Sequence, residues 1–161
     1  MTKELKWELK QANRMTHHVK SKLRNYSHFR VCGSFRRKLK TVADLDIVVV
    51  ATDADDLIES IHQMGAKVLA SGRRTVRILM YEGMQVDFMI VGASQFESAC
   101  LHFTGSKFFN IKCRKVAKIM GLKLNEYGLH AGDGTVIQST ESGILSSLRM
   151  SKFLDPVKRS M

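Results

Sequence analysis

Two aspartates one residue apart open the most apolar stretch of this chain. The string Asp44-Leu45-Asp46-Ile47-Val48-Val49-Val50-Ala51 is continuous and β-branched after its acidic start, the pattern of a central strand covered on both faces. Alternate residues of a strand share a face, so both carboxylates point the same way while Leu45 points into the core. Like charges held this close make each carboxyl easier to protonate. A divalent cation removes that conflict, and hard oxygen ligands in small number suit Mg²⁺, which fills its shell with water and substrate phosphate oxygens. A third acid, Asp87, lies inside Gln85-Val86-Asp87-Phe88-Met89-Ile90-Val91, where an unpaired carboxylate is costly. Three strand aspartates meeting on one sheet face would make a two-metal site, one ion activating an attacking hydroxyl and the other steadying a leaving pyrophosphate. On their own the letters are weak: a turn aspartate at 44 and an Asp87 neutralised by an arginine fit the same spacing.

The segment just before the pair raises its value. In Gly33-Ser34-Phe35-Arg36-Arg37, a glycine at a strand-to-helix turn lets the backbone approach a phosphate, and N–H groups at a helix start bind anions. Ser34 can donate a hydroxyl hydrogen bond and Arg37 two parallel bonds to phosphate oxygens. A phosphate cradle followed by two metal-binding carboxylates is what phosphoryl transfer needs, since its catalysis is mainly positioning and charge stabilisation.

The elements that must hold these groups read as α+β. A helix over residues 3–25, capped by Thr2, places Leu5, Leu9, Ala12, Val19 and Leu23 inward. A short strand, Phe29 to Cys32, precedes the glycine turn, and Phe35 to Leu39 begins a short helix. After the Asp44 strand, Asp53 caps a helix over 54–64 that Gly65 ends, followed by strands Lys67 to Ala70, Thr75 to Tyr81 and Met84 to Val91, the last two joined at Glu82-Gly83. Ser94 caps a helix over 95–103, and a second helix runs from Ser106 to Met120. Short extended pieces, a helix from Glu141 to Leu148 and a basic tail follow. A mixed sheet of four or five strands with flanking helices thus forms residues 1–93, and a small lobe forms 94–161.

Charge narrows the partners. Lys and Arg number 26 against 15 acids, a net +11, which attracts polyanions and nucleic acid first among them. On the helix from 106 to 120, Lys107, Asn110, Arg114 and Lys118 share one face, equally readable as a solvated face. Cys32, Cys100 and Cys113 have no metal-type spacing and read as small core residues. No leader or membrane span is apparent, which predicts a soluble, intracellular protein without a membrane partner.

Gly33-Ser34-x-Arg-Arg, its seven-residue step from Arg37 to Asp44, and Asp44-x-Asp46 resemble the nucleotidyltransferase signature, and within it the family X DNA polymerases, the group of DNA polymerase beta. Val86-Asp87 fits as well. His102-Phe103-Thr104-Gly105-Ser106 resembles the family's Tyr-Phe-Thr-Gly segment, continued by Phe108-Phe109-Asn110, Arg114 and Leu124-Asn125-Glu126-Tyr127-Gly128-Leu129. The resemblance implies a palm with a small C-terminal nucleotide-binding lobe, acting as a template-directed DNA polymerase that fills short gaps in repair. It gives metal binding, by two Mg²⁺ or by Mn²⁺, to Asp44, Asp46 and Asp87. It gives the triphosphate to Gly33, Ser34 and Arg37, the sugar to Phe103 and Gly105, and the base edge to Asn110, with His102 also at the nucleotide, bonded to triphosphate or sugar or simply packed there. The template contact falls to Arg114, with Lys107 and Lys118 on the DNA backbone. Implied partners are gapped or primed DNA and dNTPs, with a monomeric enzyme working beside repair proteins such as a ligase.

Three departures stand out. Lys38 follows the two arginines where glycine is usual, His102 replaces a tyrosine, and Gln85 stands where an arginine is common. The stretch before Gly33 is short for a lyase domain or helix-hairpin-helix units, so the chain is similar to reduced viral members of the family, of the African swine fever virus kind, which points to a viral or virion-associated setting. Lys3, Lys6, Lys10, Arg14 and Lys20 on the first helix are candidates for compensating DNA contacts. The competing readings are a template-independent or small-molecule nucleotidyltransferase and an inert nucleic-acid binder.

Overall fold

The computed structural model describes residues 6–26, 28–65 and 67–160. The chain enters as a two-residue strand, β1 (Trp7–Glu8), and turns into α1 (Leu9–Lys22). The expected helix start at Thr2 lies outside the described residues. The helix begins later than expected because Trp7 and Glu8 pair with β3 (Thr41–Val42). A capping box then starts it, with the Glu8 N–H donating to Gln11 Oε1 at 2.9 Å. Ala12, Met15 and Val19 form its buried stripe, and the lysines and arginines face outward.

β2 (Phe29–Val31) leads into α2 (Gly33–Arg36), which starts at the glycine rather than at Phe35. β4 (Asp44–Val50), α3 (Ala54–Met64), β5 (Lys67–Ser71), β6 (Thr75–Leu79) and β7 (Gln85–Val91) complete the first half. Asp53 caps α3 by accepting from the Asp55 N–H at 3.0 Å. The five-stranded sheet has the order β2-β4-β7-β6-β5, with β4 and β7 parallel and the other pairs antiparallel.

The β-branched run after Asp46 is buried on both faces, as its unbroken apolarity requires. Leu45, Ile47 and Val49 join Val86, Phe88, Val76 and Ile78 in the core under α1 and α3. Val48 and Val91 pack on the other face against Phe96, Ala99 and Cys100 of α4 (Phe96–Thr104). Ser94 does not cap α4. It lies inside a 3-10 turn, Ala93–Gln95, closed by the Gln95 N–H on the Gly92 carbonyl at 3.0 Å.

α5 (Lys107–Ile119), β8 (Lys123–Asn125), β9 (Gly128–His130), β10 (Val136–Gln138) and α6 (Glu141–Ser147) follow. Phe109, Cys113, Ala117, Leu129, Ile144, Leu145 and Phe153 make a separate apolar cluster there. The expected basic C-terminal segment is mostly exposed but not irregular. Two 3-10 turns fold it back, and Arg159 is fully buried. All three cysteines are buried and free. Among the described residues, no helix is long and apolar enough to cross a membrane.

Candidate active site

Strand register, not loop geometry, assembles the acids. Asp46 on β4 stands opposite Asp87 on β7, and Asp87 opposite Arg77 on β6, so the three form one straight row across the sheet. Neighbouring strands lie about 4.8 Å apart, which leaves the two carboxylates as nearest neighbours. Asp44 shares their face one pleat away, beside Gln85. The alternate residues Leu45, Val86 and Ile78 fill the core beneath.

Asp46 carries the electrostatic cost of this arrangement. Burial, then the charges of Asp44 and Asp87, push its pKa up to about 7, against the smaller pull of Arg37 and Arg77. Such a shift corresponds to roughly 4 kcal/mol of disfavour for the charged form. At Asp46 the negative neighbours outweigh the positive ones, and an all-oxygen donor set around such a carboxylate fits a hard divalent cation.

Asp87 is held differently. Arg77 grips it with two bonds, Nε to Oδ1 at 2.8 Å and Nη2 to Oδ2 at 2.9 Å, and Gln85 Nε2 adds a third to Oδ1 at 3.1 Å. The arginine that meets Asp87 comes from the neighbouring strand, not from position 85. Sequence reasoning missed Arg77, although the two-residue period of β6 puts it on the face of Asp87. With Asp87 turned onto Arg77, no three His, Cys, Asp or Glu side chains among the described residues already converge on one point.

The cradle abuts the row directly. A Cβ on Gly33, whose φ is +58°, would stand 2.1 Å from Asp46 Oδ2, so glycine is required for this approach as well as for the backbone. Arg37 donates through Nη1 to the Thr104 carbonyl. Its Nε is buried without a hydrogen-bond partner among the described residues, a donor awaiting an anion. Burial lowers the Arg37 pKa, partly countered by Asp46.

The opposite wall comes from the turn between α4 and α5. Gly105 has φ +65° and passes close to Arg37, where a Cβ would meet Nη1 at 3.2 Å. Ser106 caps α5 by accepting from the Phe109 N–H at 3.3 Å. Asn110 Nδ2 donates to the His102 carbonyl at 2.7 Å. Arg114 Nη2 lies 3.2 Å from His102 Nδ1. Burial and then Arg114 lower the His102 pKa, against Glu126, which favours the neutral ring, and a neutral Nδ1 can accept from Arg114. His102 also stands edge-on to Phe103, with centroids 4.9 Å apart.

Gly33, Ser34, Arg37, Asp44 and Asp46 face His102, Phe103, Gly105, Lys107, Asn110 and Arg114 across one cleft of about 480 Å³. Asp87 lines an adjoining cavity of about 290 Å³ that shares Asp46 and Phe103 with it. Lys118 stays outside both, exposed one turn past Arg114.

A second set of residues was not legible as functional. Glu141 accepts from Arg36 Nη1 at 2.9 Å and Nη2 at 2.7 Å, and from Arg159 Nη1 at 2.7 Å. Arg36 Nη1 also reaches Thr104 Oγ1 at 2.9 Å. Arg159 adds bonds to the Phe153 and Leu154 carbonyls at 2.7 and 3.0 Å. Burial opposes ionisation of Glu141, but Arg36 and then Arg159 outweigh it and hold its pKa below the usual value. The cradle, the Thr104 turn, α6 and the C-terminal turn are tied through one carboxylate.

Comparison with known families decides the kinship. The DNA polymerase beta palm model matches residues 6–112, and the DNA polymerase beta thumb model matches residues 99–160. The chain belongs to family X, the DNA polymerase beta family. Members of this family are metal-dependent nucleotidyltransferases. This family X chain is 35% identical over 126 residues to the DNA polymerase/3'-5' exonuclease PolX of Bacillus subtilis, covering 73% of the chain and 22% of that protein. It is 32% identical over 120 residues to rat DNA polymerase lambda, covering 62% of the chain and 21% of the relative. Repair DNA polymerase X of African swine fever virus is 29% identical over 105 residues, 60% of each chain. The alignments therefore span about a fifth of the two cellular relatives and 60% of the viral one. Polymerase beta of Leishmania infantum, solved as a ternary P/T complex, shares the fold with a TM-score of 0.82 at 19% identity, covering 98% of this chain and 77% of that one.

Proposed function

We propose that this chain is a template-directed DNA polymerase that adds a deoxynucleotide to a primer 3′-hydroxyl, in short-gap filling during repair. The observation that carries the reading is the cleft. Its strand carboxylates face, across one open space, a phosphate cradle and the His102 to Arg114 segment. Family membership adds the reaction class, and the net charge of +11 suits a DNA partner.

Asp44, Asp46 and Asp87 would hold the metal, two Mg²⁺ ions on this reading, with Mn²⁺ able to substitute. When bound, these ions supply charge stabilisation at the phosphate oxygens and lower the pKa of the attacking hydroxyl. The chain's own residues do the positioning. Ser34, Arg37 and the α2 amides hold the triphosphate, with the orphan Nε of Arg37 supplying one donor. Phe103 and Gly105 floor the sugar, and His102, neutral and bonded to Arg114, packs at its edge. Asn110 reads the edge of the incoming base, Arg114 the template, and Lys107 and Lys118 the DNA backbone. Asp87, which lines the second cavity but not the first, lies nearest the primer terminus on this reading and takes the hydroxyl proton. A bond forms from the 3′-oxygen to the α-phosphorus, and the bond to pyrophosphate breaks.

The test is incorporation on a duplex with a one-nucleotide gap, each of the four dNTPs offered separately with Mg²⁺ or Mn²⁺. Addition of the complementary nucleotide alone, lost in Asp46→Ala, is the expected result. Addition that ignores the template base would replace this reading with a template-independent transferase. Duplex binding with no product under either metal would leave a nucleic-acid binder.

A further inference from the structure

We propose that Arg77 is a built-in counter-ion for Asp87 that competes with an incoming divalent ion, so that Arg77 sets how tightly the carboxylate row takes metal. The inference rests on the metal-site reading above and adds to it the residue that competes.

Three observations carry it. Arg77 and Asp87 are directly opposed on adjacent antiparallel strands, so their pairing is built into the sheet register rather than into a loop. Both Asp87 oxygens are engaged, Oδ1 by Arg77 Nε and Gln85 Nε2 and Oδ2 by Arg77 Nη2. These bonds take three of the roughly four lone-pair sites of the carboxylate, so an ion binding there meets a guanidinium already in place. The Arg77 side chain is 51% exposed, so its release into water needs no repacking of the core. Arg159, wholly buried on Glu141, could not be released that way.

Charge explains why such a residue belongs there. Without a cation, Asp44, Asp46 and Asp87 stand together on one face, with the positive charges of Arg77 and Arg37 nearby. A guanidinium keeps the row intact until a dication arrives. A dication carries twice the charge and coordinates through shorter contacts, so it wins the carboxylate at a reduced net affinity. Removing the competitor tightens metal binding.

Mn²⁺ binding to the full chain, read from the EPR signal of the free ion, tests this without any activity. Arg77→Ala is expected to bind Mn²⁺ about tenfold tighter than the unaltered chain, the scale of one bidentate charge-assisted pair. Arg77→Lys keeps the charge but loses the fork, and is expected to fall between them; it also serves if Arg77→Ala folds poorly. Arg73→Ala removes an exposed charge from the same hairpin and controls for the general field, with less than a twofold change expected. An Arg77→Ala affinity equal to that of Arg73→Ala, or weaker than that of the unaltered chain, overturns the proposal. Mn²⁺ binding that is the same in the unaltered chain and in Asp46→Asn overturns the metal-site reading itself, and the role of Arg77 with it.

Discussion

Glu141 and Asp46 are both acids drawn largely out of water, and their surroundings treat them in opposite ways. Glu141 meets two arginines at 2.7 Å, and its pKa falls despite burial. Asp46 stands among two other aspartates, and its pKa rises to about 7. One carboxylate shared by two guanidiniums is locally over-balanced. At Asp46 the charges of Asp44 and Asp87 outweigh those of Arg37 and Arg77. A buried acid whose charge is met by the chain itself ties elements together, and one left in deficit is arranged for a cation from outside. Breaking a balanced buried pair strands its partners, whereas relieving a like-charge cluster costs no such partner.

The largest expected effects fall on opposite observables. Asp46→Ala is expected to lower templated incorporation by roughly 10³-fold or more, on the scale of losing one preorganised charge-stabilising group, while the unfolding midpoint in urea does not fall. Glu141→Ala is expected to lose about 3–5 kcal/mol of stability, because Arg36 and Arg159 are left buried and unpaired. Urea unfolding of both variants decides the matter. The distinction between the clusters collapses if Asp46→Ala is the less stable of the two.

A smaller effect follows from pH. Asp46 has a folded pKa raised from 3.8 to about 7, so the folded chain binds more protons than the unfolded one between those values. Its contribution therefore favours folding at low pH and is lost as pH rises through about 7. In metal-free protein, Asp46→Asn is expected to be more stable than the unaltered chain at pH 8 by roughly 2–4 kcal/mol, the gap closing toward pH 4. Urea unfolding in chelator at several pH values measures it. A gap that widens toward acid would mean that Asp46 is stabilised as the anion, like Glu141.

The Asp44 strand, the Gly33 turn and α5 were legible because each depends on local pattern: a β-branched run, a glycine at a turn, a serine cap before a helical repeat. Local pattern also reached the Gly33 to Asp46 side of the cleft, which lies within one strand–helix–strand passage, whereas the wall from His102 to Arg114 was assigned by the family resemblance. Arg77 and Glu141 were not legible as site residues, for a different reason in each case. Arg77 acquires its partner through the register of β6 on β7, which the letters do not state. Glu141 reads as an ordinary first-turn acid, and only the fold-back of the C-terminal turns brings Arg159 to it. The start of α1 was misplaced because its pairing partner, Thr41–Val42, is more than thirty residues away.

Lys118 gives the finest distinction, between a charge inside the cleft and one outside it. It shares a helical face with Lys107, Asn110 and Arg114 but lines neither cavity. A lysine in that position can neutralise a DNA phosphate without touching the nucleotide. Lys118→Ala is therefore expected to leave the KM for the dNTP unchanged and to reduce the slope of log Kd for duplex DNA against log salt by about one. Arg37→Ala should do the reverse, raising the nucleotide KM with little change in that slope. Filter binding across a salt series, paired with steady-state incorporation, separates the two. If Lys118→Ala moved KM instead, the edge of the cleft would have to extend a full turn further along α5, and the division between nucleotide and backbone contacts on that helix would be wrong.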